Sequence, residues 1–114
     1  MKIVFLGGGN MANALIGGML KQGFAAADID VIELNAESRA RLNATFGVTC
    51  HASAEAAPSP DMLVLAVKPQ QMREAVAPFV GRLGQALVLS IAAGLDIAAL
   101  SRLLGGQRNI VRCM

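Results

Sequence analysis

The 114-residue sequence has no tyrosine, one histidine and two cysteines. Without tyrosine there is no Tyr-x-x-x-Lys pair, and neither a Ser/His/Asp arrangement nor a pair of carboxylates at acid–base spacing occurs. The chain therefore carries no catalytic constellation of its own. Cys50, His51 and Cys113 form no CxxC and no zinc-ligand spacing, so no metal is expected, and reduced thiols in a cytoplasmic protein are the expectation. The net charge of +2 comes without a basic run, which sets nucleic acid aside. No apolar run reaches the roughly eighteen residues that spanning a membrane requires. Nor does Lys2, ahead of a run that ends at Gly7, make a signal peptide.

Apolar side chains are plentiful instead: hydrophobic residues make up 54% of the chain and the mean hydropathy is +0.53. Strands buried on both faces would account for that surplus, together with surface that meets something outside the chain. Runs suited to such strands are Lys2–Leu6, Ile29–Leu34, Met62–Val67, Ala86–Ile91 and Asn109–Cys113, with a weaker one at Val48–Cys50. Helical stretches separate them. The first spans about Asn10 to Gln22 with Gly23 as its stop. The second starts on Asn35, a good N-cap, and ends near Phe46 before Gly47. A third has Pro69 at its first position and breaks before Pro78. The fourth is capped by Asp96 and stopped by Gly105, and a short turn can follow Ser53. Strand alternating with helix predicts one α/β domain over residues 1–114, a doubly wound parallel sheet of Rossmann type with helices on both faces. Because the chain stops at Met114 directly after an apolar strand, it is expected to be part of a longer protein.

Directly after the first strand comes Gly7-Gly8-Gly9-Asn10-Met11-Ala12, a match to G-x-G-x-x-A. In a strand–loop–helix setting, Gly7 permits the tight turn, Gly9 lets a pyrophosphate approach the backbone, and Ala12 allows close helix packing. The pyrophosphate would sit on the free N–H groups and positive dipole end of the first helix. Structural glycines of an ordinary turn are the alternative. No Gly-Lys-Ser/Thr follows, which excludes a P-loop. Glu33 closes the second strand, where a carboxylate can accept hydrogen bonds from ribose hydroxyls or merely be solvated.

Two further loops lie at carboxyl ends of strands, where ligands bind in open α/β sheets. They are Ala66-Val67-Lys68-Pro69 and Ser90-Ile91-Ala92-Ala93-Gly94. The small residues of the second would admit a nicotinamide ring. Lys68 could meet the cofactor or be a surface lysine, and Ser53 is an N-cap that could edge the adenine. Asp61 stands at a strand start, the wrong end for chemistry, and His51 reads as a loop residue.

Together, Phe5 to Ala12, Ala66-Val67-Lys68-Pro69, Ser90-Ile91-Ala92-Ala93-Gly94 and Ile110-Val111-Arg112-Cys113-Met114 resemble Δ1-pyrroline-5-carboxylate reductase over essentially the whole chain. That resemblance implies reduction of Δ1-pyrroline-5-carboxylate to proline with NADPH as donor, NADH often being accepted. It also implies a helical domain elsewhere that makes a homo-oligomer and holds substrate contacts. Carried across, cofactor contacts fall on Leu6, Gly7, Gly8, Gly9, Asn10, Met11, Asn35, Ser53, Ala66, Val67, Lys68, Pro69, Ala92, Ala93 and Gly94. Two departures stand out: Gly8, where relatives often have Ala or Cys with no expected consequence, and Glu33, which weakens the expectation of NADP preference. Competing readings are another imine or β-hydroxyacid reductase, a methyltransferase, and a non-catalytic dinucleotide-binding module. The Ala66–Pro69 loop argues against the first. Bulky Met11 argues against the methyltransferase.

Overall fold

A computed structural model describes residues 1–91, 96–107 and 109–112. The chain runs β1 (Ile3–Leu6), α1 (Asn10–Lys21), β2 (Ile29–Ile32), α2 (Ala36–Phe46), β3 (Thr49–His51), β4 (Met62–Leu65), α3 (Met72–Val76), β5 (Leu87–Ser90), α4 (Ile97–Leu103) and β6 (Ile110–Arg112). The six strands form one sheet in the order β3-β2-β1-β4-β5-β6, and every pairing is parallel. From the central pair the chain winds outward in one direction through β2 and β3, then in the other through β5 and β6. This is the doubly wound Rossmann-type sheet that the alternation of strand and helix predicts.

Every residue of β1 and β2 is buried. Successive side chains point to opposite faces, so a strand apolar at every position must be covered twice. Ile3, Phe5, Ile29, Val31 and Val64 pack with Ala12 and Ile16 of α1 and Leu42 of α2. Val4, Leu6, Leu63, Leu65 and Val88 meet Met72 and Val76 of α3 and Leu100 of α4 on the other face. Each large side chain removed from water in this way contributes about 1.5–3 kcal/mol before the entropy of ordering it.

The helix ends follow the punctuation. Asn35 Oδ1 accepts the Ser38 N–H at 2.9 Å, Gly47 (φ 73) ends α2 in the left-handed region, and Asp96 Oδ1 accepts the Ala99 N–H at 2.7 Å. Boundaries differ in places. β2 stops at Ile32 and β4 at Leu65, each two residues earlier than expected, because the chain turns at the carboxyl edge of the sheet. The helix expected from Pro69 is a 3-10 turn (Pro69–Gln71), one short α segment and a second 3-10 turn (Ala77–Phe79) around Pro78, a residue that cannot continue an α-helix. His51 is no loop residue. It ends β3, and its Nε2 lies 2.6 Å from Oδ2 of buried Asp30, whose Oδ1 is 3.0 Å from Lys2 Nζ.

Candidate functional site

Backbone bonds carry the sheet ladder past the strand ends. Gly7 N–H donates to Ile32 O (2.8 Å), Glu33 N–H to His51 O (2.9 Å), Ala66 N–H to Leu6 O (2.9 Å) and Ile91 N–H to Leu65 O (3.1 Å). The loops after β1, β2, β4 and β5 are thereby gathered along one edge. Strands β1 and β4 are neighbours whose following helices cover opposite faces, so a crevice opens between their loops at the switch of strand order. Gly7 sits at its floor with φ +100. A Cβ there would lie 2.9 Å from Ala66 O and 3.0 Å from Val67 Cγ1, so glycine is required by both conformation and space.

The next two glycines are unlike the first. Gly8 is buried and its N–H donates to Glu33 Oε1 at 2.9 Å. A Cβ at Gly8 would stand 2.7 Å from Leu42 Cδ1 and 3.2 Å from Glu33 Oε1. An alanine here would meet the movable tip of the Leu42 side chain, which would have to shift. Gly9, the N-cap of α1, has an ordinary extended backbone (φ −78, ψ −164), and among the described residues nothing lies within 4 Å of where its Cβ would be. Nothing among the described residues calls for glycine at that position. Beside it, Asn10 is exposed, Met11 is 52% exposed and Ala12 is fully buried against the sheet. The N–H groups at the start of α1 have no intrahelical acceptors, and the helix dipole leaves them at its positive end.

Glu33 is not a solvated strand end. Its Oε2 accepts the Asn35 N–H at 2.9 Å while Oε1 holds Gly8, so one carboxylate bridges the loops after β1 and β2. Arg39 reaches back from α2, its Nη1 donating to Glu33 O (2.8 Å) and Leu34 O (2.9 Å). Leu34, between these anchors, is 83% exposed at the same edge. Asn35 caps α2 with its side chain. Ser53 stands exposed at the N-cap position of a short 3-10 turn (Ala54–Ala56) but makes no side-chain capping bond, contrary to the simple cap expected. Val67 packs on the core beside α3, exposed Lys68 leads into Pro69, and Ala66 adjoins Gly7. Ala92, Ala93 and Gly94 lie outside the described residues. Asp61 occupies the opposite end, where its Oδ2 accepts the Lys2 N–H at 2.7 Å.

Asn13 is missed by the sequence reading. Its Nδ2 donates to Gly8 O (3.0 Å) and Gly9 O (2.8 Å), and its backbone N–H donates to Gly9 O at 2.9 Å. One signal was available: an asparagine one turn into a helix whose N-cap, being glycine, has no side chain with which to cap.

Comparison with known proteins agrees with this geometry. The sequence model of the family described as "NADP oxidoreductase coenzyme F420-dependent" matches residues 2–94. The chain is 43% identical to a pyrroline-5-carboxylate reductase of Pseudomonas aeruginosa over 99% of its own length and 42% of the relative's. It is 40% identical to that of Haemophilus influenzae over 98% of its length and 42% of the relative's. Among solved structures, a pyrroline-5-carboxylate reductase from Coxiella burnetii superposes with a TM-score of 0.91 at 30% identity, covering 99% of this chain and 43% of that one. The chain thus spans about 42% of the length of the curated relatives it matches. Glycine loop, switch-point crevice and these matches together place the chain in the NADP oxidoreductase, coenzyme F420-dependent family.

Proposed function

We propose that the loop of residues 6–12 binds the pyrophosphate of NADPH, NADH being an alternative, and that the protein reduces Δ1-pyrroline-5-carboxylate to L-proline. The observation that carries this reading is Gly9: glycine at a position of ordinary backbone conformation and open space, beside free helix N–H groups. A side chain there would harm no protein contact, but it would fill the approach to those donors. The relatives named pyrroline-5-carboxylate reductase support the substrate.

Leu6, Gly7, Gly8, Gly9, Asn10 and Met11 would line the pyrophosphate; the N–H groups of Gly7 and Gly8 are held by Ile32 O and Glu33 Oε1, so the donors would come from Gly9 onward with the dipole of α1. Glu33, Asn35 and Ser53 would lie along the adenosine ribose. Ala66, Val67, Lys68 and Pro69, with Ala92, Ala93 and Gly94, would follow the cofactor toward its nicotinamide end. When bound, that group supplies the hydride. The residues of this chain orient it, and Ala66 and Val67 keep one wall of the crevice apolar. Substrate contacts, and the interface of a cytoplasmic homo-oligomer, belong in our reading to the stretch of the relatives that this chain does not span. Among the described residues no helix is long and apolar enough to cross a membrane.

The test is direct. Binding of NADPH and NADH to this chain is measured by calorimetry, and proline formed per nicotinamide oxidised is measured with the chain joined to the stretch that its relatives carry beyond it. Cofactor binding by the chain and one proline per NADPH from the longer protein support the reading. Folded chain that binds neither cofactor, or longer protein that forms no proline with either, would overturn it.

A further inference from the structure

The geometry points to Asn13 as a positioning residue that aims the anion-binding N–H groups of the loop, an inference that rests on the cofactor reading above. The peptide group is planar and trans, so its C=O and N–H point in opposite directions. The Gly8 carbonyl shares its plane with the Gly9 N–H, and the Gly9 carbonyl shares its plane with the Asn10 N–H. Asn13 Nδ2 donates to both carbonyls, at 3.0 and 2.8 Å. Drawing the two oxygens toward Asn13 turns the two N–H groups the other way, out of the loop, where they have no partner among the described residues. Only the amide nitrogen can donate to two carbonyls, so the chemistry fixes which way the side chain faces. On the other flank Glu33 Oε1 fixes the preceding peptide through the Gly8 N–H. Three consecutive peptide planes are thus set by two side chains from different elements.

The flanking geometry makes this necessary. Gly8 and Gly9 lack side chains to restrict them, and glycine has the widest backbone freedom. Among the described residues nothing lies within 4 Å of where a Gly9 Cβ would be, so side-chain packing does not hold it and its carbonyl bonds to Asn13 do. A loop free to rotate would have to be ordered on binding, at a cost in affinity. Asn13 removes that cost in advance while itself lying outside the row of donors.

The experiment compares Asn13→Ala and Asn13→Ser with the unaltered protein. Alanine is the strongest helix former and adds no charge near a phosphate, so α1 is expected to persist. Dissociation constants are measured by calorimetry, in competition with NADPH, for adenosine diphosphate, which has the pyrophosphate, and for adenosine 2′-monophosphate, which does not. In Asn13→Ala the constant for adenosine diphosphate is expected to rise about tenfold, the loss of roughly one to two net hydrogen bonds' worth of orientation. That for adenosine 2′-monophosphate is expected to stay as it was. A serine at this position can bond the carbonyl four residues back, which is Gly9 O. Asn13→Ser should therefore recover part of the affinity. Equal weakening of both ligands, or no change in either, would show Asn13 to be an ordinary helix residue and overturn the inference. Failure of the unaltered protein to bind NADPH would instead overturn the cofactor reading beneath it.

Discussion

Replacing Glu33 with Gln tests the proposal that the adenosine of the cofactor lies at this end of the crevice. The Glu33 carboxylate is held by the Gly8 and Asn35 N–H groups, each at 2.9 Å, so it cannot turn away without giving up both bonds. A 2′-phosphate carries close to two negative charges at neutral pH. Set ~6 Å from a carboxylate in a solvent-like medium, it meets a repulsion of about 1 kcal/mol after screening. The Arg39 guanidinium, fixed on Glu33 O and Leu34 O, offsets part of this but is present in both proteins. Glu33→Gln keeps an oxygen for Gly8, removes the charge and gives up the bond from the Asn35 N–H, which an amide nitrogen cannot accept. The ratio of NADPH over NADH affinity, measured by calorimetry on the chain, should then rise about fivefold, the factor that 1 kcal/mol represents. Most of the change should come from NADPH. A flat or falling ratio would mean that Glu33 braces the loops without facing the 2′ position, and the electrostatic reasoning would be refuted.

Three other perturbations address the fold beneath the site. Gly7→Ala forces a side chain into φ +100 and to 2.9 Å from Ala66 O; urea titration should show a loss of at least about 3 kcal/mol. Asp30→Asn leaves Lys2 and His51 without their shared carboxylate, but Lys2 can reach water. The expected cost is about 1–2 kcal/mol, and no change in midpoint would mean the pair is energetically idle. Burial pushes the Cys50 thiol above its ordinary 9.0, a shift opposed by Arg39 and reinforced by Asp30 and Glu33. Its contribution to stability is therefore complete below the unfolded value and falls as pH rises from about 9 through the folded one. Cys50→Ser should flatten the decline in stability at alkaline pH, and an unchanged slope would discount the thiol.

The sheet is legible in the sequence because its strands are doubly buried: a run such as Ile3–Leu6, apolar at every position, has few other places to go. The caps at Asn35 and Asp96 and the stop at Gly47 act locally, and they stand where the residue types put them. What stays hidden depends on tertiary partners. The role of Glu33 rests on Gly8, 25 residues away, and that of His51 on Asp30, 21 residues away. The crowding at Gly8 comes from Leu42 on another helix, which no local pattern announces. Asn13 is the intermediate case, since its partners lie within five residues but matter only once Gly9 is known to cap the helix.

The central claim is that glycine at position 9 serves a ligand and not the fold, and Gly9→Asp tests it most directly. NADPH binding is measured by calorimetry alongside thermal unfolding of the same protein. Among the described residues, chain neighbours aside, no atom lies within 4 Å of the new Cβ, so the unfolding midpoint should hold within about 2 °C. Binding should fall at least about a hundredfold, because the side chain fills the approach to the helix N–H groups and sets its charge against the pyrophosphate. Undiminished affinity for NADPH in that variant would contradict the account.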